Sequence, residues 1–161
     1  MHINVVPTIH LLDKHLVDEY RTIPKVLANI KSLYTKGKCI NDIKRPLEYT
    51  LGRGHIRFFY DKLDWIIARY GDIHEELLRR GMPVDEDKSE AMIGDAIKCA
   101  PESWRGLQTY VPTPEAIYTN MSRLLVRSDM ACVEKEVVDA FERGDILDEY
   151  HLIARDIDNT N

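Results

Sequence analysis

Lys14, His15, Asp18, Arg21, Thr22 and Lys25 fall on one side of a helix when residues are wound at about 100° each. Three cations, an imidazole, a carboxylate and a hydroxyl there suit an anionic substrate. Arg and Lys grip phosphate, while a carboxylate and a histidine move protons. A plainer reading makes the same set a solvated face, held by Lys14–Asp18 and Asp18–Thr22 neighbours. Spacing alone leaves both open. A second candidate is the segment 51–63, LGRGHIRFFYDKL, in which Gly52 and Gly54 open a helix. Glycine lets a ligand approach the exposed N–H groups of a first turn, and Arg53 and His55 beside it are suited to phosphate. The plainer alternative is a helix start packed closely on another helix. Phe58, Phe59 and Tyr60 read as core rather than as a platform for stacked bases. No pair of histidines has the spacing of helical metal ligands, so neither a metal nor another cofactor is expected.

These residues need elements to position them. The first face belongs to a helix whose apolar stripe runs Leu16, Tyr20, Ile23, Leu27, Ile30 and Tyr34, with Asp13 as the expected N-cap and Gly37 as the stop. Pro24 lies inside it; because the stripe keeps its phase, a kink is expected rather than a break. Residues 38–53 hold Pro46 and Gly52 and read as a loop. From Gly54 the stripe resumes as Ile56, Phe59, Leu63, Ile66, Tyr70, Ile73 and Leu77, predicting one long helix that ends at Arg79, Arg80 and Gly81. A polar linker at 82–89 follows, then helical runs at 89–99, 114–127, 132–142 and 146–156. No segment alternates as a strand would, so the expected class is all-α: a single helical domain over 1–161 with a core at 1–127 and an acidic helical extension at 128–161.

The chain has 161 residues and a net charge of -5, enough for one hydrophobic core and mildly unfavourable to a protein that coats DNA through charge alone. The charges are unevenly placed. Residues 1–80 carry 14 basic and 10 acidic side chains, whereas 128–161 carry 3 basic and 10 acidic. One end can face phosphate; the other repels it and offers a surface for self-association. No apolar run is long enough to span a membrane. Cys39, Cys99 and Cys132 are odd in number and widely spaced, which reads as reduced, mostly buried thiols in a cytoplasmic protein.

Taken together, Ile3-Asn4, Asp13, His15-Leu16, Glu19-Tyr20-Arg21, Pro24, Leu51-Gly52, Gly54-His55 and the run from Phe58 to Leu63 resemble the pyrimidine-dimer DNA glycosylases, the endonuclease V type of bacteriophages. The likeness is good over about the first 80 residues and thin to about 127. It implies a compact helical fold with the N-terminal segment threaded between long helices, so that the chain's α-amine sits in the active site and DNA with a damaged or modified base is the partner. By resemblance the protein is phage-encoded and works in the cytoplasm of a bacterial host. In such enzymes the amine attacks the deoxyribose C1′, the base leaves, and the imine permits β-elimination at the abasic site. An α-amine ionises near pH 8, against about 10.4 for lysine, so part of it is unprotonated at neutral pH.

By the same resemblance, Arg21 and His15 match positions that hold phosphate and the sugar. His2 lies beside them, and Lys25 keeps the charge of a family arginine. The register through Ile3-Asn4 places the family's nucleophilic threonine on Met1, which the bulky His2 is expected to protect from removal. The family's essential glutamate falls on Thr22, which cannot carry a proton as a carboxylate does; Asp18 and Glu19 are the nearby candidates to replace it. Three functions follow: a DNA N-glycosylase and abasic-site lyase using Met1, the same fold redirected to another N-glycoside or nucleotide, or a non-catalytic binder.

Overall fold

A computed structural model describes residues 1–106 and 110–126, which form α1 (Asp13–Thr35), α2 (His55–Phe58), α3 (Leu63–Arg79), α4 (Glu86–Cys99), α5 (Glu102–Arg105) and α6 (Pro114–Val126), with short 3-10 turns at Thr8–His10 and Ile40–Asp42. Among the described residues there is no strand, and the fold is all-α. The helical runs expected at 132–142 and 146–156, and with them the acidic extension, lie outside the described residues.

α1 packs chiefly along α3. It buries Leu16, Ile23, Val26, Leu27 and Ile30 against Leu63, Ile66, Tyr70, Ile73 and Leu77 of α3. Each such side chain contributes about 1.5–3 kcal/mol on leaving water, which outweighs the loss at Pro24, and α1 continues through that proline without interruption. Asp13 is the first helical residue rather than the cap. Leu12 takes the cap position without a side-chain bond, and Asp13 binds Arg80 instead. The stop is as expected. Gly37 has φ +73, its N–H donates to Tyr34 at 3.0 Å, and the Lys38 N–H reaches back to Leu33 at 3.1 Å.

The long helix expected from Gly54 to Arg80 is divided. α2 ends at Phe58, the chain turns through Phe59 to Lys62, and α3 starts at Leu63. Phe58, Phe59 and Tyr60 are all buried, and on one continuous helix three consecutive rings would spread over about 200° of its circumference, too wide for one buried face. The turn lets all three enter the core. α4 begins three residues before the expected 89, and the single turn α5 was not expected. Cys39 sits at a turn between α1 and α2 and is exposed, so the expectation of mostly buried thiols is not met there; the side chains of Cys99 and Cys132, to which it also applied, lie outside the described residues.

Candidate active-site cleft

Residues 3 to 6 form a buried, non-helical segment, and among the described residues there is no strand to pair with it, so its backbone groups are met by side chains. The Ile3 N–H donates to His55 Nε2 at 3.0 Å. The Asn4 N–H and Asn4 Nδ2 donate to the two Glu19 oxygens at 3.1 and 2.9 Å. Val5 and Val6 N–H groups share Asn120 Oδ1, at 2.7 and 3.4 Å. In the other direction, Tyr49 donates to the Ile3 carbonyl at 3.3 Å and Arg69 Nη1 to the Val6 carbonyl at 2.8 Å. Side chains from α1, α2, α3, α6 and the loop after α1 thus fix the segment that carries residues 1 and 2.

Glu19 and Arg69 are the centre of this clamp. They are 1% and 5% exposed, and Arg69 Nε and Nη2 meet the two carboxylate oxygens at 2.9 and 3.2 Å. A buried guanidinium–carboxylate pair with its other lone pairs occupied by Asn4 is a geometry that offsets desolvation. Asn4 Oδ1 in turn accepts from Asn120 Nδ2 at 2.9 Å and Arg123 Nη1 at 3.2 Å, which ties α6 into the same network. A second clamp lies at Arg80. Its guanidinium donates to the carbonyls of Thr8, Ile9 and Leu11 and to Asp13, while Nε meets Glu76 at 2.6 Å. Arg79 and Arg80 together hold the Glu76 carboxyl below its usual range, despite its burial.

With the segment fixed, Met1 and His2 border a cleft of about 360 Å³ that is also lined by Asn4, His15, Asp18, Glu19, Arg21, Thr22, Lys25 and Arg123. Met1 is 65% exposed and Thr22 is buried at the cleft wall. His15, Asp18 and Thr22 share this wall because they lie three and four residues apart on α1, with Arg21 and Lys25 alongside. Two carboxylates line the cleft. Glu19 already accepts four hydrogen bonds, two of them within its ion pair with Arg69, so Asp18 is the carboxylate that faces the cleft with no such commitment to the fold. Arg21, Lys25 and Arg123 give the lining a positive excess, which suits a phosphodiester.

Of the residues singled out in the sequence, Met1, His2, His15, Asp18, Arg21, Thr22 and Lys25 are therefore brought together, while Arg53, Gly54 and His55 are not among the cleft's lining. Arg53 and Gly54 line a separate cavity. His55 is buried beneath the N-terminal segment. Its Nε2 accepts from Ile3, so the proton resides on Nδ1, which donates to the Thr50 carbonyl at 2.7 Å. Burial holds its pKa below the ordinary histidine value and keeps it neutral. The His2 ring lies on it at 4.9 Å. Asn120 and Arg123 were missed altogether, since they come from α6, more than a hundred residues away in the chain. Glu19 and Arg69 had a readable signal: each is a charge in core phase, Glu19 between Leu16 and Ile23, Arg69 between Ile66 and Ile73.

Among the described residues no group of His, Cys, Asp and Glu could hold a metal, and no helix is long and apolar enough to cross a membrane. The sequence model of the family described as pyrimidine dimer DNA glycosylase matches residues 1–90, a span that contains α1, α2, α3 and nine of the ten residues around the cleft. A match over more than half of the 161 residues, on the elements that build the cleft, shows that the chain belongs to the pyrimidine dimer DNA glycosylase family.

Proposed function

We propose that the protein is a DNA N-glycosylase with abasic-site lyase chemistry, in which the α-amine of Met1 is the nucleophile. The observation that carries this reading is the shared cleft. Met1 borders the same cavity as Asp18, His15, Arg21 and Lys25, so a nucleophile, proton-handling groups and phosphate-binding cations surround one space. The amine nitrogen bonds to the deoxyribose C1′ as the glycosidic C–N bond breaks, its electron pair leaving with the base, which takes up a proton. Loss of an amine proton and opening of the sugar ring give the imine. Removal of a C2′ proton then expels the 3′ phosphate, its oxygen taking the C–O pair, and water releases the sugar fragment from the amine. In this scheme Asp18 stabilises the cationic sugar and moves protons, and Arg21 and Lys25 hold the phosphates either side of it.

Sodium borohydride added to protein with abasic DNA reduces the imine to a stable amine. The expected result is a covalent adduct that peptide mapping places on Met1; an adduct on lysine, or none, overturns the assignment. One observation favours a second reading. Thr22 stands at the wall position where the resemblance places a glutamate; the second reading is that the scaffold serves another N-glycoside or nucleotide, or binds without catalysis. Absence of base release from pyrimidine-dimer and modified-base substrates and of strand cleavage at an abasic site, with binding retained, selects that reading.

A further inference from the structure

A second cavity, of about 590 Å³, is lined by Lys44, Arg45, Pro46, Arg53, Gly54 and Arg57. Four of its six lining residues are cations and none is acidic. Arg45 has other tasks: its Nη1 donates to the carbonyls of Ile40 and Ile43, and Nη2 lies 3.3 Å from Asp61, whose carboxylate also binds Lys62 at 2.7 Å. These bonds fold residues 40–46 into a fixed wall. Lys44, Arg53 and Arg57 form no ion pair among the described residues, and Lys44 and Arg53 are exposed. The cavity's floor is equally fixed. Gly54 has φ +102, and a Cβ there would lie 2.9 Å from Pro46 Cγ, so the Gly54 backbone packs directly against the Pro46 ring. Three cations around one cavity, with no ion pair among the described residues and no acidic residue in the lining, suit a multiply charged or extended anion.

The family to which the chain belongs makes DNA the anion to consider. Gly54 is joined by one peptide bond to His55, which holds Ile3 and packs on His2 of the Met1 cleft. We propose that the Lys44–Arg53–Arg57 cavity is a second phosphodiester-binding site, which grips the backbone of the same DNA away from the reacting nucleotide. This rests on the glycosylase reading above. Contacts of this kind carry no base information; they set the register of the duplex so that the reacting sugar meets Met1.

The test is fluorescence anisotropy of the full chain on a DNA duplex of about twenty base pairs, at several NaCl concentrations, with borohydride trapping of a single abasic nucleotide alongside. In Arg53→Ala/Arg57→Ala, duplex affinity is expected to fall about tenfold and the slope of log K against log salt to shrink by about 1–2. Trapping of the single abasic nucleotide is expected to stay at the wild-type level, because it engages the Met1 cleft alone. If that variant melts earlier than wild type, Lys44→Ala/Arg53→Ala, confined to two exposed side chains, is expected to give the same losses. Unchanged affinity and slope in folded variants, with wild type still trapping abasic DNA, overturn this site and leave the glycosylase reading standing. A wild type that neither binds duplex nor traps an abasic sugar overturns both. A tenfold preference for duplex RNA, lost in the variants, overturns the DNA assignment.

Discussion

Replacing Glu19 by glutamine keeps the size of the side chain and removes its charge, and the surrounding bonds allow the loss to be worked out. Oε1 accepts from the Asn4 N–H and Arg69 Nε, and Oε2 from Asn4 Nδ2 and Arg69 Nη2. Whichever oxygen becomes NH₂ then faces two donors. Turning the Asn4 amide to relieve one of them would break its acceptance of Asn120 Nδ2 and Arg123 Nη1. Arg69, 5% exposed, is left with an uncompensated charge in the core. Breaking a buried pair in this way costs about 3–5 kcal/mol, a large part of the 5–15 kcal/mol that holds an ordinary domain folded. For a chain of this length that corresponds to a Tm lower by roughly 10 °C. Urea unfolding followed by circular dichroism should give a lower midpoint with an unchanged slope. Glu19→Gln should also lose adduct formation at Met1 while still folded, because the clamp positions residues 1 and 2. Pairing Glu19→Met with Arg69→Met should cost less than the two single changes added, by about 0.5–3 kcal/mol, since the double variant leaves no unpaired charge. A Glu19→Gln protein that melts within 2 °C of wild type would refute the reasoning.

The other expectations concern single side chains. Gly54→Ala meets both a left-handed backbone and Pro46 at 2.9 Å, so thermal melting should show a loss of about 1–3 kcal/mol, against no more than about 1 for an ordinary exposed Gly→Ala change. His55 has its folded pKa depressed below 6.5 by burial; its contribution is therefore full above about pH 6.5 and is lost as pH falls through that value, because the unfolded chain binds the proton first. Denaturation midpoints from pH 7.5 to 5 should fall for wild type and flatten in His55→Gln; equal slopes in the two proteins would remove His55 as the cause. Asp18→Asn should reduce base release by about a hundredfold or more with the fold and DNA affinity kept, and a rate within threefold of wild type excludes Asp18 as the acid. Thr22→Glu should raise activity towards pyrimidine dimers by restoring a carboxylate at the wall, read as product formed per enzyme; no gain places the catalytic carboxylate elsewhere.

Periodicity located α1 and most of α3 because their stripes are long, and a buried stripe is the strongest record that packing leaves in a sequence. It misplaced the start of α3 for the same reason. The stripe from Ile56 to Leu77 stays in phase across the turn at Phe59–Lys62, and phase says nothing about a backbone that leaves the helix and returns. The cleft was half legible. His15, Asp18, Arg21, Thr22 and Lys25 share a face of one helix, so local spacing groups them. Arg123 and Asn120 reach the N-terminal segment from α6, and no local pattern records a contact across that separation. His55 and Arg53 are two residues apart, yet one is buried under Ile3 and the other is exposed on a different cavity. Adjacency in the chain had grouped what burial separates.

Asp18 and Glu19 show how one peptide bond divides structure from chemistry. On a helix they point about 100° apart, which turns Glu19 towards the core and leaves Asp18 at the cleft. Glu19 cannot serve the reaction without giving up Asn4 or Arg69, and either loss frees the segment that presents Met1. A replacement for the carboxylate absent at Thr22 must therefore come from a residue that the fold does not need, and on this wall Asp18 meets that condition. It lies one turn before Thr22, so the charge it offers is displaced along α1 by about 6 Å. A substrate that uses it must sit lower along the helix, nearer His15 and further from Lys25, than one that met a carboxylate at position 22. In the reaction proposed above, threonine rather than a carboxylate at position 22 thus bears on which sugar and base the cleft would take as much as on catalysis itself.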